Sequence, residues 1–372
     1  MSENKIKIAI IGSRGYPYVY SGYETFVKEL SERLVKRNYE ITVYCHKNLF
    51  KSYPKEVNGV NLVYINTIEK KTLSQFVHSF QSIIHACFKK YDVILVVNSA
   101  NGPFGIFTKL FGKKTAINVD GLEWLRPKWK GLGSKYFYLA SRLSVRFFDY
   151  IITDSYEMEK IYKQLFNADS AVIAYGANIR YSKNPELISK WNIEKHEYYL
   201  IVGRLIPDNN ADFIVNEFTK SNTAKKLVIV GDVPYNDKYA SNIKSINDDR
   251  LVFTGYVTNQ DELAELYHNC FAYFHGHAFG GTNPTMLKAL AYGCGIIAID
   301  TVFSREMLDN DNYGFLFKQE EGALTLIIEN TEKNTAKLVS YREKSRTRIT
   351  NNYTWEKIVN QYVDFFDDIL EE

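Results

Sequence analysis

Residues 275–290, HGHAFGGTNPTMLKAL, hold the densest set of groups able to do chemistry. Gly280 and Gly281 precede Thr282-Asn283-Pro284, and a helical run follows. Asn as N-cap and Pro at the first helical position are helix-start signals. A helix N-terminus beside glycines offers free amides that a bound anion can reach. Lys288 would add a cation one turn further on. His275 and His277 stand two apart, and no third ligand accompanies them as a metal site would require.

Gly203-Arg204, continuing to Asn209-Asn210, is the next candidate. An Arg just past a strand can grip a pyrophosphate with paired donors and stabilise charge building on it. Pairing with a surface carboxylate is the plain alternative. Gly12-Ser13-Arg14-Gly15, followed by Gly22, lies between a strand and a helix. It suits an anion or an ordinary tight turn, and it lacks the G-x-G-x-x-G spacing of dinucleotide folds. Asp120-Gly121-Leu122-Glu123-Trp124 follows another strand. Its two carboxylates suit hydroxyl recognition or general-base work on a sugar, and equally a helix cap with a solvated acid.

Strands that end at these motifs must position them. Lys7–Gly12, Ile41–Cys45, Val60–Ile65, Val93–Val97, Thr115–Val119 and Tyr150–Thr153 alternate with helical stretches at 23–37, 73–90 and 135–148. After a polar break at 185–195 the rhythm restarts, with strands at 198–202, 226–230, 251–254, 271–274 and 295–299. Helices fit at 211–220, 260–269 and 284–292. Strands alternating with helices imply α/β architecture: two Rossmann-like parallel-sheet domains facing a central cleft, residues 1–178 and 179–354, with a helix at 355–370 free to pack back on the first.

Charge is uneven along the chain. Residues 1–180 hold 26 Lys and Arg against 15 Asp and Glu, a net +11; the remainder holds 20 against 28, a net −8. The basic half is expected to meet something anionic. Residues 124–148 mix Arg126, Lys128, Lys130, Lys135, Arg142 and Arg146 with Trp124, Trp129, Tyr136, Phe137, Tyr138, Phe147 and Phe148. Leu73–Lys90, flanked by Lys70-Lys71, is also basic and apolar. That pattern suggests contact with an anionic membrane face. A solvated basic face with a core aromatic face reads the same, and no RNA-binding motif supports nucleic acid. Met1–Lys7 has no h-region, no stretch reaches 18 uncharged apolar residues, and the four cysteines show neither metal nor redox spacing. The expectation is a cytoplasmic protein, peripheral at the inner membrane face.

Together, Ile11–Pro17, Tyr20–Val27, Asp120–Trp124 with Lys128-Trp129, Ala174–Ala177, Val202–Asn210, Gly255-Tyr256-Val257 and His275–Pro284 resemble family 4 retaining glycosyltransferases of GT-B fold. The likeness is greatest to the branch of bacterial polysaccharide rhamnosyltransferases. It implies a metal-independent, retaining transferase with a nucleotide-sugar co-substrate, no other cofactor, and a lipid-linked saccharide acceptor. By branch the donor is dTDP-L-rhamnose; a UDP-hexose is the alternative. The resemblance implies that Asp120 lies at the reacting centre, with Glu123 beside it. Arg204 binds the pyrophosphate. Gly15, Gly22, Asn209, Tyr256, Val257, Gly280, Gly281, Thr282, Asn283 and Lys288 surround the donor. Gly280 and Lys288 stand where the wider family has a Glu-x7-Glu pair, Asn209 where it has Lys, and Ser21 where the branch has Gly. A sugar-nucleotide 2-epimerase or a non-catalytic scaffold would share the architecture.

Overall fold

The computed structural model describes residues 5–17, 22–68, 73–233 and 237–372. The start of the chain at Met1–Asn4, Tyr20-Ser21 and Lys70-Lys71 lie outside the described residues. Contacts divide the chain into two units: residues 1–125, 129–175 and 355–372, and residues 126–128 with 176–354. The first boundary falls at 175 rather than 178. Residues 126–128 belong with the second unit, where Arg126 Nε lies 3.1 Å from the fully buried Asp208 carboxylate.

The first unit runs β1 (Lys7–Ile11), α1 (Gly22–Val35), β2 (Glu40–His46), β3 (Glu56–Val57), β4 (Val60–Ile65), α2 (Leu73–Cys87), β5 (Val93–Val97), α3 (Gly105–Leu110), β6 (Thr115–Val119), α4 (Leu132–Phe147), β7 (Tyr150–Thr153), α5 (Tyr156–Phe166) and β8 (Ala171–Val172). Its eight-stranded sheet has the order β3-β4-β2-β1-β5-β6-β7-β8, parallel except for β3 on β4. The five residues of β5 and of β6 are all buried, as central strands covered on both faces require. Strand order reverses direction between β1 and β5. Right-handed crossovers therefore put α1 on one face and α2, α3 and α4 on the other. The last helix of the chain, running Trp355–Glu371, lies on the α1 face. There Phe26 meets Tyr362 at 5.6 Å, Arg37 pairs with Glu356, and Tyr39 reaches Asp367 at 3.2 Å.

The second unit runs β9 (Tyr198–Val202), α6 (Ala211–Lys220), β10 (Lys226–Val230), α7 (Lys238–Lys244), β11 (Leu251–Gly255), α8 (Gln260–Asn269), β12 (Ala272–His275), α9 (Pro284–Ala291), β13 (Ile296–Ile299), α10 (Val302–Met307), β14 (Gly314–Phe317), α11 (Ala323–Lys333) and α12 (Ala336–Arg348); the closing helix is α13. Its sheet, β11-β10-β9-β12-β13-β14, is wholly parallel. Tyr199, Leu227, Ile229, Phe274 and Ile297 form its floor, against Ile214 and Phe218 of α6. The polar break at 185–195 is a 3-10 turn, Pro185–Trp191.

The aromatic residues of 124–148 divide in a way composition does not show. Trp124, Phe137 and Phe148 are buried, and Arg126 turns inward to Asp208. What remains outside on α4 is Leu132, Lys135, Tyr138, Leu139, Arg142 and Arg146. α2 mixes polar and apolar residues on both its buried and its exposed sides. It buries His78, Ser79 and Ser82 along with Ile83, Ala86 and Cys87, and it exposes Leu73, Phe76 and Phe80, with Phe88 exposed just past its end.

Candidate functional site

In the first unit the strand ends carry acids. Asp120 follows β6, and both of its oxygens are engaged. Tyr23, next to Gly22 at the start of α1, donates to Oδ1, and Tyr175 donates to Oδ2 at 2.8 Å. Burial, then the Asp120 charge, raises both phenols well above their ordinary value, so both remain neutral donors. Tyr175 is braced edge-on by Phe26, with ring centroids 5.5 Å apart. Glu123 is buried and accepts 2.7 Å from Trp129 Nε1. The sequence reading missed Asp154, buried at the end of β7, whose charge is felt by Tyr23 and Tyr175. The signal there was only a strand followed by the Ser155 helix cap.

The Gly12–Gly15 turn needs its glycines for packing. Gly12 has φ +109, and a Cβ there would stand 2.3 Å from Val97 O. Gly15 has φ +124 and lies against Cys45. The Arg14 amide donates 3.0 Å to the buried carboxylate of Glu24, so the protein supplies its own anion at that turn. A second cluster unseen in the sequence lies next to it. His46 and His78 stack at 3.7 Å, with values pushed down by burial to about 4 and about 3.

In the second unit the strand ends carry groups of both signs: Arg204 follows β9, Asp232 follows β10 and pairs with Lys244, and Asp300 follows β13 and pairs with Arg305. The ends of β9, β10 and β11 are stitched together: Gly203 N donates to Val230 O and Gly231 N to Gly255 O, each at 2.9 Å. Gly231 has φ +116, and its Cβ would lie 2.1 Å from Gly203 O, so only glycine lets these turns stack. Arg204 projects from this edge. It is exposed, and its guanidinium has no hydrogen bond or ion pair among the described residues. Arg180, Arg250 and Arg305 of the same unit all pair with carboxylates. Tyr256 is 58% exposed beyond β11, with Val257 beside it.

The 275–283 loop closes on the Arg204 turn. Asn209 Nδ2 donates to Arg204 O at 2.8 Å, and Asn209 Oδ1 lies 3.0 Å from His277 Nδ1. Asn210 Nδ2 donates to Gly276 O at 2.7 Å. Gly276 must be glycine, because a Cβ there would stand 2.2 Å from Asn209 O. Gly280 has φ +144, and the amides of Gly280 and Gly281 donate to nothing among the described residues. Thr282 is buried. Asn283 caps α9 by accepting from Thr285 N at 2.9 Å. Lys288 is partly exposed and has no hydrogen bond or ion pair among the described residues. Burial, then the Arg180 charge, holds its pKa below the usual lysine value. His275 is pushed by burial to about 3, so it is neutral near pH 7. The described residues contain no group of three or more His, Cys, Asp or Glu placed to hold a metal ion.

Comparison with known proteins fits this arrangement. Residues 5–178 match the family model described as domain of unknown function DUF1972, and residues 183–352 match that of the glycosyl transferases group 1. A probable sucrose-phosphate synthase of Thermosipho melanesiensis is 22% identical over 94% of this chain and 91% of its own. A Campylobacter jejuni N-acetylgalactosamine-N,N'-diacetylbacillosaminyl-diphospho-undecaprenol 4-alpha-N-acetylgalactosaminyltransferase is 23% identical over 41% of this chain and 42% of its own. Among solved structures, sucrose-phosphate synthase of Thermosynechococcus elongatus superposes with TM-score 0.83 at 17% identity, over 99% of this chain and 100% of that one. HepE of Anabaena in complex with UDP superposes with TM-score 0.75 at 16% identity, over 98% and 100%.

Two Rossmann-like parallel-sheet units of this kind are the GT-B fold of glycosyltransferases. Residues 183–352 carry the likeness to the glycosyl transferases group 1.

Proposed function

We propose that the chain transfers a sugar, with retention and without a metal, from dTDP-L-rhamnose to a lipid-linked saccharide of a bacterial surface polysaccharide. The observation that carries the donor half of this reading is the unpaired Arg204, hydrogen-bonded through Asn209 and His277 to a loop with open amides at Gly280 and Gly281. Arg204 and those amides meet the diphosphate and stabilise the charge that grows on it as the glycosidic bond breaks. Thr282 and Asn283 lie over the donor sugar, and Tyr256 and Val257 flank the base. Asp120, held as an acceptor by two phenols, takes the hydrogen bond of the acceptor hydroxyl. Glu123, tied to Trp129, keeps this loop in place. Gly15 and Gly22 act through the backbone path they give to Tyr23.

The lipid-linked acceptor draws support from the Campylobacter relative, whose name specifies a diphospho-undecaprenol substrate. The α2–α4 face adds to it. None of these helices contains Asp or Glu, and Phe88 is 71%, Leu110 75% and Leu132 83% exposed. Apolar side chains within a carboxylate-free basic face suit the interface of an anionic bilayer. No helix of the described residues is long and apolar enough to cross a membrane. The proposed placement is peripheral, at the cytoplasmic surface.

Thermal-shift measurements against dTDP-, UDP- and GDP-sugars test the donor, since a ligand of the native state raises Tm. The largest shift is expected with dTDP-L-rhamnose. A larger shift with UDP-glucose, the ligand of one solved HepE complex, would move the reading to a UDP-hexose donor. Flotation on phosphatidylglycerol vesicles is expected to weaken when Lys128, Lys130 and Lys135 become Glu. Equal flotation would remove the membrane from the reading.

A further inference from the structure

The ring of His277 sits between two acceptors. Nδ1 lies 3.0 Å from Asn209 Oδ1, and Nε2 lies 2.8 Å from Phe279 O. The orientation of the Asn209 amide is fixed by its other contact. Its nitrogen lies 2.8 Å from Arg204 O, and only a nitrogen can donate to a carbonyl. The amide oxygen therefore faces the ring. A neutral imidazole has a single N–H and serves one of these acceptors; only the imidazolium serves both.

The surroundings oppose that charge. Burial depresses the His277 pKa, and so do the charges of Arg126 and Arg204, while the contact with Phe279 O raises it. His275, whose ring centroid is 6.4 Å away, is neutral and adds no acid or base near pH 7. Asp208 pairs with Arg126 and offsets part of its field, and the Asp208 carbonyl accepts from Ala278 N at 3.4 Å, tying the same loop. The balance is thus set by two arginines against two acceptors. A diphosphate at Arg204 and the Gly280–Gly281 amides reverses the sign of the local field.

We infer that a nucleoside diphosphate binds this unit together with a proton, taken from solvent onto His277, whose imidazolium then donates to Asn209 and Phe279 at once. The proton forms an N–H bond on the ring, and no bond to the ligand is made or broken. His277 acts as a proton-coupled cation of the site, and Asn209 is the positioning residue that presents an acceptor to it. The inference rests on the donor site proposed above.

Calorimetric titration of the whole protein with UDP and with dTDP at pH 8 tests it. The second phosphate ionisation, at pH ~6, is complete there and contributes no protons. Titration in two buffers of different ionisation enthalpy is expected to show net proton uptake on binding. His277→Gln is expected to bind roughly tenfold more weakly at pH 7 and to show no uptake. Asn209→Ala, which takes one of the two acceptors from the ring, is expected to bind with the uptake reduced. Binding with identical heats in both buffers overturns the inference and leaves the donor site standing. Unchanged uptake in His277→Gln overturns it by placing the proton elsewhere. Failure of both nucleotides to bind overturns the inference and the donor site together.

Discussion

The strand ends of the two units differ in the groups they gather around one site. In the first unit they present Asp120, Glu123 and Asp154, with phenols as the donors. In the second they present Arg204 and His277, with glycine amides as further donors, while Asp232 and Asp300 are paired with Lys244 and Arg305. On the reading proposed above, the first of these edges accepts hydrogen bonds and the second receives an anion. The division matches a reaction with one neutral hydroxyl substrate and one diphosphate substrate. Sheet topology alone does not assign these roles; the residues one to four places past each strand do.

That difference can be broken most forcefully at Asp120. Asp120→Asn is expected to lower kcat/KM about a thousandfold while donor-induced stabilisation persists. Loss of nucleotide binding in this variant would show that the two edges do not divide the work. Arg204→Ala is expected to cost about a hundredfold in kcat and to weaken binding of the free nucleoside diphosphate. If only the acceptor KM moved, Arg204 would belong with the acid edge. Lys288→Glu reverses a charge in α9 and is expected to weaken donor binding about tenfold at low salt. The depressed pKa of Lys288 sets the sign of a pH effect. The charged form attracts the anion, so donor affinity falls as pH rises through a value below that of an ordinary lysine. Lys288→Arg should keep its affinity through that range. Tyr175→Phe removes one donor from Asp120 and is expected to be mildest, lowering kcat a few-fold and stability by about 1 kcal/mol. Denaturant titration and steady-state rates separate those two effects.

Much of the scaffold was legible because its signals are local. Val93–Val97 is a fully apolar run and forms the central strand β5. Asn283-Pro284 announces a helix that starts there and is capped by that Asn. Other elements sent weaker signals. α12 buries only Leu338, Tyr341 and Ser345, too sparse a stripe to stand out in AKLVSYREKSRTR. The contact of His277 with Asn209 joins residues 68 positions apart and follows no motif. Composition also misled. The basic and acidic halves of the sequence are not the two units. The first unit holds 24 Lys and Arg against 21 Asp and Glu, and the second 22 against 22. The acids of α13 return to the first unit, so the imbalance lies between that unit's faces. α2, α3 and α4 carry no carboxylate, while α1 and α13 carry Glu24, Glu29, Glu32, Glu356, Asp364, Asp367, Asp368 and Glu371. Trp124, Phe137 and Phe148 looked like interfacial aromatics and are core, because a residue list does not say which way a ring points.

The return of α13 to the first unit also bears on how the protein is made. Tyr362, Phe366 and Ile369 fill positions against the α1 face, yet a ribosome reaches them only after all of residues 176–354 have been synthesised. The second unit emerges with its sheet complete and can close while the chain is still growing. The module that comes first in the sequence must wait, with Phe26 and Tyr39 uncovered, for its last helix. Domains generally fold in order of synthesis. Here the order of completion is reversed, and the nascent first module is the stretch where a chaperone would find exposed apolar surface.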